Sequence, residues 1–200
     1  RMNIDSYKKM KAKLHHTLSY ARFSQLKELA QSTIGNEDSV LSFQLESILK
    51  LHDFIQSQID DVSSLIESEF IQTGSYIQSI PGIGLYSAAA IYSEIGIINR
   101  FDNPDQVLAF AGLEPSRHQS GDSDFKGHMV KHGSSYLRQT LMNVSESSLM
   151  HNPLLYDFYK KKRNEGKSHR VALSHVAKKL VRIIYTLETN NIKFDFSKMR

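Results

Sequence analysis

The sequence predicts an all-α chain, an extended helical, coiled-coil arm followed by a compact helical domain that contains a helix-hairpin-helix. Three observations predict it. Leu41, Leu45, Ile48, His52, Ile55, Ile59, Val62 and Ile66 follow alternating steps of four and three, a seam of period 3.5 with one polar member. Twice an Asn-Pro pair opens an amphipathic run that closes on glycine, from Asn103 and Pro104 to Gly112 and from Asn152 and Pro153 to Gly166. No segment shows a convincing alternation of apolar and polar residues, and a short hairpin near residues 123–131 is the one candidate for extended structure.

Taken in order, residues 3–33 read as one or two helices through Ile4, Tyr7, Leu14 and Leu18, then Leu26, Leu29 and Ala30, with Gly35 and Asn36 as punctuation. The heptad run follows, widened by Leu51, Phe54 and Leu65. It reads either as a helix packed on its own chain or as a coiled coil, within the chain or with another subunit. From residue 76 the grammar changes to short helices with sharp breaks. "SIPGIGLYSAAAIYSEIG" is a helix end, a tight turn and a small-residue helix. "GSSYLRQTLMNVSESSLMH" is helical, with Tyr136, Leu137, Leu141, Val144 and Leu149 among its apolar positions. The last long helix carries Val171, Ala172, Val176, Leu180, Ile183, Ile184 and Leu187 on one face, with Ser168 as its cap. The expected division is an arm over residues 1–72 and a domain over 73–200.

Composition narrows the function classes. Cysteine is absent, which excludes disulfides and thiolate metal sites and suits a reducing cytoplasm. No apolar run reaches the roughly 20 residues of a membrane span, and the charged start "RMNIDSYKKMKAKLHH" is no signal peptide. The net charge of +4 is unevenly spread: residues 36–70 hold eight acids and one base, whereas 126–182 hold twelve Lys/Arg and three acids. The basic half suits a polyanion such as nucleic acid.

Two features carry candidate chemistry. In "IPGIG", Gly82 and Gly84 permit a tight turn, and the amides opening the next helix can hold a phosphate oxygen. Such contacts position a duplex without reading its bases; an ordinary helical turn is the plain alternative. Lys161, Lys162 and Arg163 in "KKKR" suit a solvated helix end, but with Arg117, Lys126, Lys131 and Arg138 they extend into a nucleic-acid-binding surface. His128 and His132 lack the acid and the regular helix that a zinc pair needs, so no metal site is expected. Among the loop serines, Ser116, Ser123, Ser134 and Ser135 read as turn or cap residues. Ser120 differs in context, because Gly121 follows it and Arg117, His118 and Lys126 lie near. From the residues alone it stands as one candidate nucleophile, and a turn residue is the commoner meaning of a loop serine.

"SIPGIGLYSAAAIYSEIG", "RFDNPDQVLAFAGLEPSRHQSG", "KGHMVKHGSSYLRQTL" and "NPLLYDFYKKKRNEGKSHRVALSHVAKKLVRIIYTL" resemble, in order, the C-terminal transposase domain of the Piv/DEDD group of bacterial insertion-sequence transposases. The resemblance covers about residues 76–188, and the acidic heptad run resembles the coiled coil that precedes that domain. It implies DNA transposition or recombination by a serine nucleophile, which maps onto Ser120 of "GLEPSRHQSG" and would bond covalently to DNA. It also implies a structured guide RNA, homo-oligomers formed through the coiled coil, and an upstream RuvC-like domain whose DEDD acids hold magnesium. The chain itself is expected to need no cofactor and reads as the C-terminal part of such a protein, inactive alone. Asp122 and Asp124 depart from the family pattern, which favours glycine and basic residues there. The rival is a non-catalytic helix-hairpin-helix adaptor that binds DNA or RNA and oligomerises through its coiled coil.

Overall fold

The computed structural model describes residues 4–13, 18–32, 35, 38–120, 123–129 and 132–198, with side chains for all of these except 13, 115–129 and 198. Every described element is helical apart from one two-stranded hairpin. By internal contacts the chain forms two compact units, Arg1–Ser57 and Gln58–Arg200, and one long helix runs through both.

In the first unit, α1 (Ile4–Lys13) and α2 (Tyr20–Gln31) meet through a small aromatic cluster. Tyr7 stands edge-on to Tyr20 at 5.2 Å and lies 5.3 Å from Phe23, while Leu18 and Phe23 are buried. Ser19 caps α2 by accepting from the Arg22 amide at 3.3 Å. The long helix α3 (Ser39–Gln72) starts from Asp38, whose carboxylate accepts from the amides of Val40 and Leu41. Its heptad seam is uncovered: Leu41, Leu45, Ile48 and Ile55 are 61, 59, 63 and 48% exposed. Past the unit boundary, Ile59 and Val62 are exposed as well. Toward the end of the helix the stripe is partly covered: Ile66 is half-buried and lines an apolar pocket with Val62, Leu65, Phe70, Ala89 and Tyr92.

The second unit is built around α8 (His169–Asn190), whose buried face runs from Ala172 through Val176, Leu180 and Ile184 to Leu187. Helices α4 (Leu85–Ile95), α5 (Pro104–Phe110), α6 (Ser135–His151) and α7 (Pro153–Asn164) complete the core. The expected caps form. Asn103 accepts from the amides of Asp105 and Gln106, and Asn152 accepts from Leu155, each just before a proline at the first helical position. Ser168 stands at the cap position of α8 without a side-chain bond to the helix. Phe70, at the end of α3, is buried edge-on to Tyr92. Glu188 of α8 accepts from the Tyr76 amide at 2.7 Å and from the Ser75 hydroxyl at 3.0 Å, fixing the chain as it leaves α3.

Between α5 and α6 the chain forms β1 (Pro115–Ser120) and β2 (Ser123–Met129), paired antiparallel, where the sequence pointed to extended structure only near residues 123–131. Arg117 pairs with Lys126, His118 with Phe125, Gln119 with Asp124 and Ser120 with Ser123, with an irregularity between Pro115 and Arg117. The ladder supplies the backbone hydrogen bonds that a loop of this length would otherwise leave to water.

Candidate nucleic-acid interface

The turn 80–84 is held from below by Ile80 and Ile83, both buried. Gly82 has φ +94°, and a Cβ there would lie 2.5 Å from Ser148 Cα and 2.8 Å from its hydroxyl. Its carbonyl accepts from the Ser147 hydroxyl at 3.0 Å. Gly82 thus lets the turn press against α6. Gly84 is the residue that faces outward: it is exposed, it occupies the cap position of α4, and no side chain caps that end. The first intrahelical bond runs from the Ala88 amide to the Gly84 carbonyl, which leaves the amides of the first turn without a helical acceptor. Those amides and the positive end of the α4 dipole are what an anion would meet. Only a single 3-10 turn, Ile77–Ser79, precedes the turn.

The hairpin leaves the core between the C-terminal ends of α4 and α5. Leu113 is fully buried at its entry. At its exit, the Ser134 amide donates to Phe110 O at 2.8 Å, and the Ser134 hydroxyl donates to Glu94 Oε2 at 2.6 Å. Arg138 Nη1 donates to Ala111 O at 3.3 Å, so this base belongs in part to the hairpin's root. Arg117 and Lys126 face one another across the ladder, and Ser120 ends β1 opposite Ser123. Lys131 and Gly121 lie outside the described residues.

The α7 cluster is partly neutralised. Lys162 Nζ sits 2.9 Å from both Glu165 oxygens, and that bond, chiefly, holds the Glu165 carboxyl below its ordinary range. Arg163 Nη1 donates to Lys167 O at 2.9 Å, closing the α7–α8 turn. Lys161 is exposed. Lys160 lies over the Tyr156 ring at 4.5 Å, while Lys179 and Lys162 lie over Phe158 at 4.9 and 5.6 Å. Phe158 packs against the core, whereas Tyr156 is 40% exposed.

Helix α8 adds bases that the sequence reading passed over. His175, Lys178, Lys179 and Arg182 recur at helical spacing in "HVAKKLVR", and that spacing was the available signal. Burial lowers the Lys178 ammonium, Arg182 lowers it further, and Glu114 opposes both. Burial also lowers His175, reinforced by Lys178, Lys162 and Lys167 and opposed by Glu165. Among the described residues no group of three His, Asp or Glu could hold a metal ion.

Comparison with known proteins points the same way. Residues 74–160, which contain the turn, the hairpin, α6 and most of α7, match the model of the Transposase IS116/IS110/IS902 family. An uncharacterized 43.6 kDa protein of insertion element IS110 from Streptomyces coelicolor is 22% identical over 153 residues, 76% of this chain and 37% of that protein. The transposase for insertion sequence element IS1111A from Coxiella burnetii is 36% identical over 75 residues, 38% of this chain and 21% of that protein. The pilin gene-inverting protein of Moraxella bovis is 30% identical over 129 residues, 64% of this chain and 40% of that protein. The chain therefore spans less than half the length of these curated relatives, and over its helical domain it is similar to the IS116/IS110/IS902 family of transposases.

Proposed function

We propose that this chain is the nucleic-acid-binding, nucleophile-bearing part of a DNA transposase or recombinase, with Ser120 as the nucleophile. The observation that carries the proposal is the place of Ser120: it ends a strand of a hairpin rooted in the helical core, within the segment that matches the transposase family. The step is a transesterification. The Ser120 hydroxyl loses its proton, its oxygen bonds to a DNA phosphorus, a phosphorus–oxygen bond to deoxyribose breaks, and the departing sugar oxygen takes a proton. The phosphoserine bond keeps the energy of the broken ester for rejoining. Arg117 and Lys126 pair with each other three positions from the Ser120–Ser123 end of the ladder, and their charge favours DNA held against the hairpin.

Around this step the proposal has four further parts. The amides at Gly84, with Gly82 shaping the turn as in a helix-hairpin-helix, and the bases Lys161, Lys162, Arg163, Arg138 and Lys131 hold DNA or a structured guide RNA by phosphate contacts. The uncovered α3 seam pairs as a coiled coil with a second copy. A separate acidic domain of the RuvC type, holding magnesium, completes the site. The protein works in the cytoplasm; among the described residues no helix is long and apolar enough to cross a membrane.

The exposed, uncapped start of α4 also favours a second reading, a passive DNA- or RNA-binding adaptor. One experiment separates the two. The polypeptide that joins this chain to the acidic domain is incubated with guide RNA and DNA, and Ser120→Ala is compared with Ser116→Ala and Ser123→Ala. The proposal expects only Ser120→Ala to abolish the covalent adduct while DNA binding persists. An adaptor gives no adduct in any variant.

A further inference from the structure

We propose that Glu94 is a positioning residue that aims the hairpin, and with it Ser120, by clamping Ser134 at the hairpin's exit; the proposal rests on the reading of Ser120 as nucleophile. Glu94 stands in the last turn of α4, where an acidic side chain opposes the helix dipole. Its carboxylate is used across the fold instead: Oε2 accepts from the Ser134 hydroxyl at 2.6 Å, a short, charge-assisted bond. The same hydroxyl accepts from the Leu137 amide at 3.0 Å and so caps α6. With its proton committed to Glu94, the oxygen keeps its lone pairs turned to the helix.

The neighbouring contacts fix one point. Gly133 has φ +112°, and a Cβ there would collide with the Phe110 carbonyl oxygen, which already accepts from the Ser134 amide. That carbonyl is one that the end of α5 cannot satisfy within its own helix, so the hairpin's exit serves as part of the α5 cap. On the entry side, the Leu113 amide donates to Leu108 O at 2.9 Å. Arg100 lies over the rings of Phe101 and Phe110 and donates to Glu94 O at 3.1 Å, tying α4 to the same corner. The corner thus joins the ends of α4 and α5 to the start of α6, and the Glu94–Ser134 bond is a side-chain link from α4 to the hairpin's exit.

The geometry explains why such a clamp matters. From Pro115 to Ser120 the strand reaches roughly 17 Å, so a 10° swing at the root moves its tip by about 3 Å. Misplacement of a reacting atom by about 1 Å is enough to cost on the order of a hundredfold in rate. Glu94 is bonded to Ser134, fourteen positions after Ser120, so the effect assigned to it is on orientation.

The test uses the polypeptide joined to the acidic domain, with DNA and guide RNA, and measures adduct rate and DNA affinity separately. Glu94→Ala is expected to slow adduct formation about 10- to 100-fold with DNA affinity unchanged. Glu94→Gln, which keeps an acceptor oxygen, should restore most of the rate. Ser134→Ala combined with Glu94→Ala should be no slower than Ser134→Ala alone, because the serine variant already removes the bond to Glu94 along with the α6 cap. A wild-type rate in Glu94→Ala, or a loss of DNA affinity that accounts for the slower rate, overturns the proposal. Ser120→Ala is run alongside. If it still forms the adduct, the nucleophile reading fails, and the clamp is judged by amide exchange over 115–129: faster exchange in Glu94→Ala but not in Glu94→Gln upholds it, and unchanged exchange overturns it.

Discussion

At Gly82 and Gly84 two identical residues do different work. Gly82→Ala forces a positive φ on alanine and drives a methyl into the Ser148 backbone, so it should destabilise the chain by about 2–4 kcal/mol. Gly84→Ala meets nothing within 4 Å and should change stability by at most about 1 kcal/mol. Denaturant unfolding of the two variants checks this, and equal losses would contradict it. His175 supplies a pH dependence. Its folded-state pKa is lowered, first by burial and then by Lys178, Lys162 and Lys167. The unfolded chain therefore binds the proton more readily, and stability is lost as pH falls through the ordinary histidine value of about 6.5. Unfolding midpoints compared at about pH 7.5 and pH 5.5 should fall less in His175→Gln than in the parent. An unchanged fall would remove His175 from the account.

Among the elements, α3 is the one that exposes a run of large apolar residues, from Leu41 to Val62. Ile48 and Ile55 are exposed, so replacing each by Asp should leave the helical fold intact and abolish self-association. Light scattering at micromolar concentration reads the outcome, and a parent chain that is already monomeric would sink the pairing. The helices and their caps were legible in the sequence because cap, proline, periodic run and glycine are local signals. Asn103, Asn152 and the α8 face all stand where those signals put them. The hairpin was half legible. "PSRHQS" has no alternating apolar residues, and its pairing with β2 is set by the ladder and by the root at Phe110 and Ser134, which lie 24 positions apart. Glu94 was illegible for the same reason, since its partner is 40 residues away. Ser168 stands at the cap position of α8, as its place before the helix indicates, and does so without a side-chain bond.

For the whole molecule the governing feature is the separation of charge, acidic over 36–70 and basic over 126–182. If the basic surface makes four phosphate contacts, affinity for duplex DNA or structured RNA should fall roughly a hundredfold between about 50 and 200 mM salt. Titrations at several salt concentrations give the slope, and a flat response would remove the electrostatic basis of binding. The central claim is the bond from Ser120 to DNA, and mapping that bond tests it most directly. The adduct formed by the polypeptide joined to its acidic domain is digested with nuclease and then trypsin. Cleavage after Arg117 and Lys126 releases the peptide 118–126, "HQSGDSDFK", which contains Ser120 and Ser123. Fragment masses then show which residue carries the nucleotide. The account predicts a nucleotide phosphate on Ser120; one on Ser123 or on any other residue would contradict it.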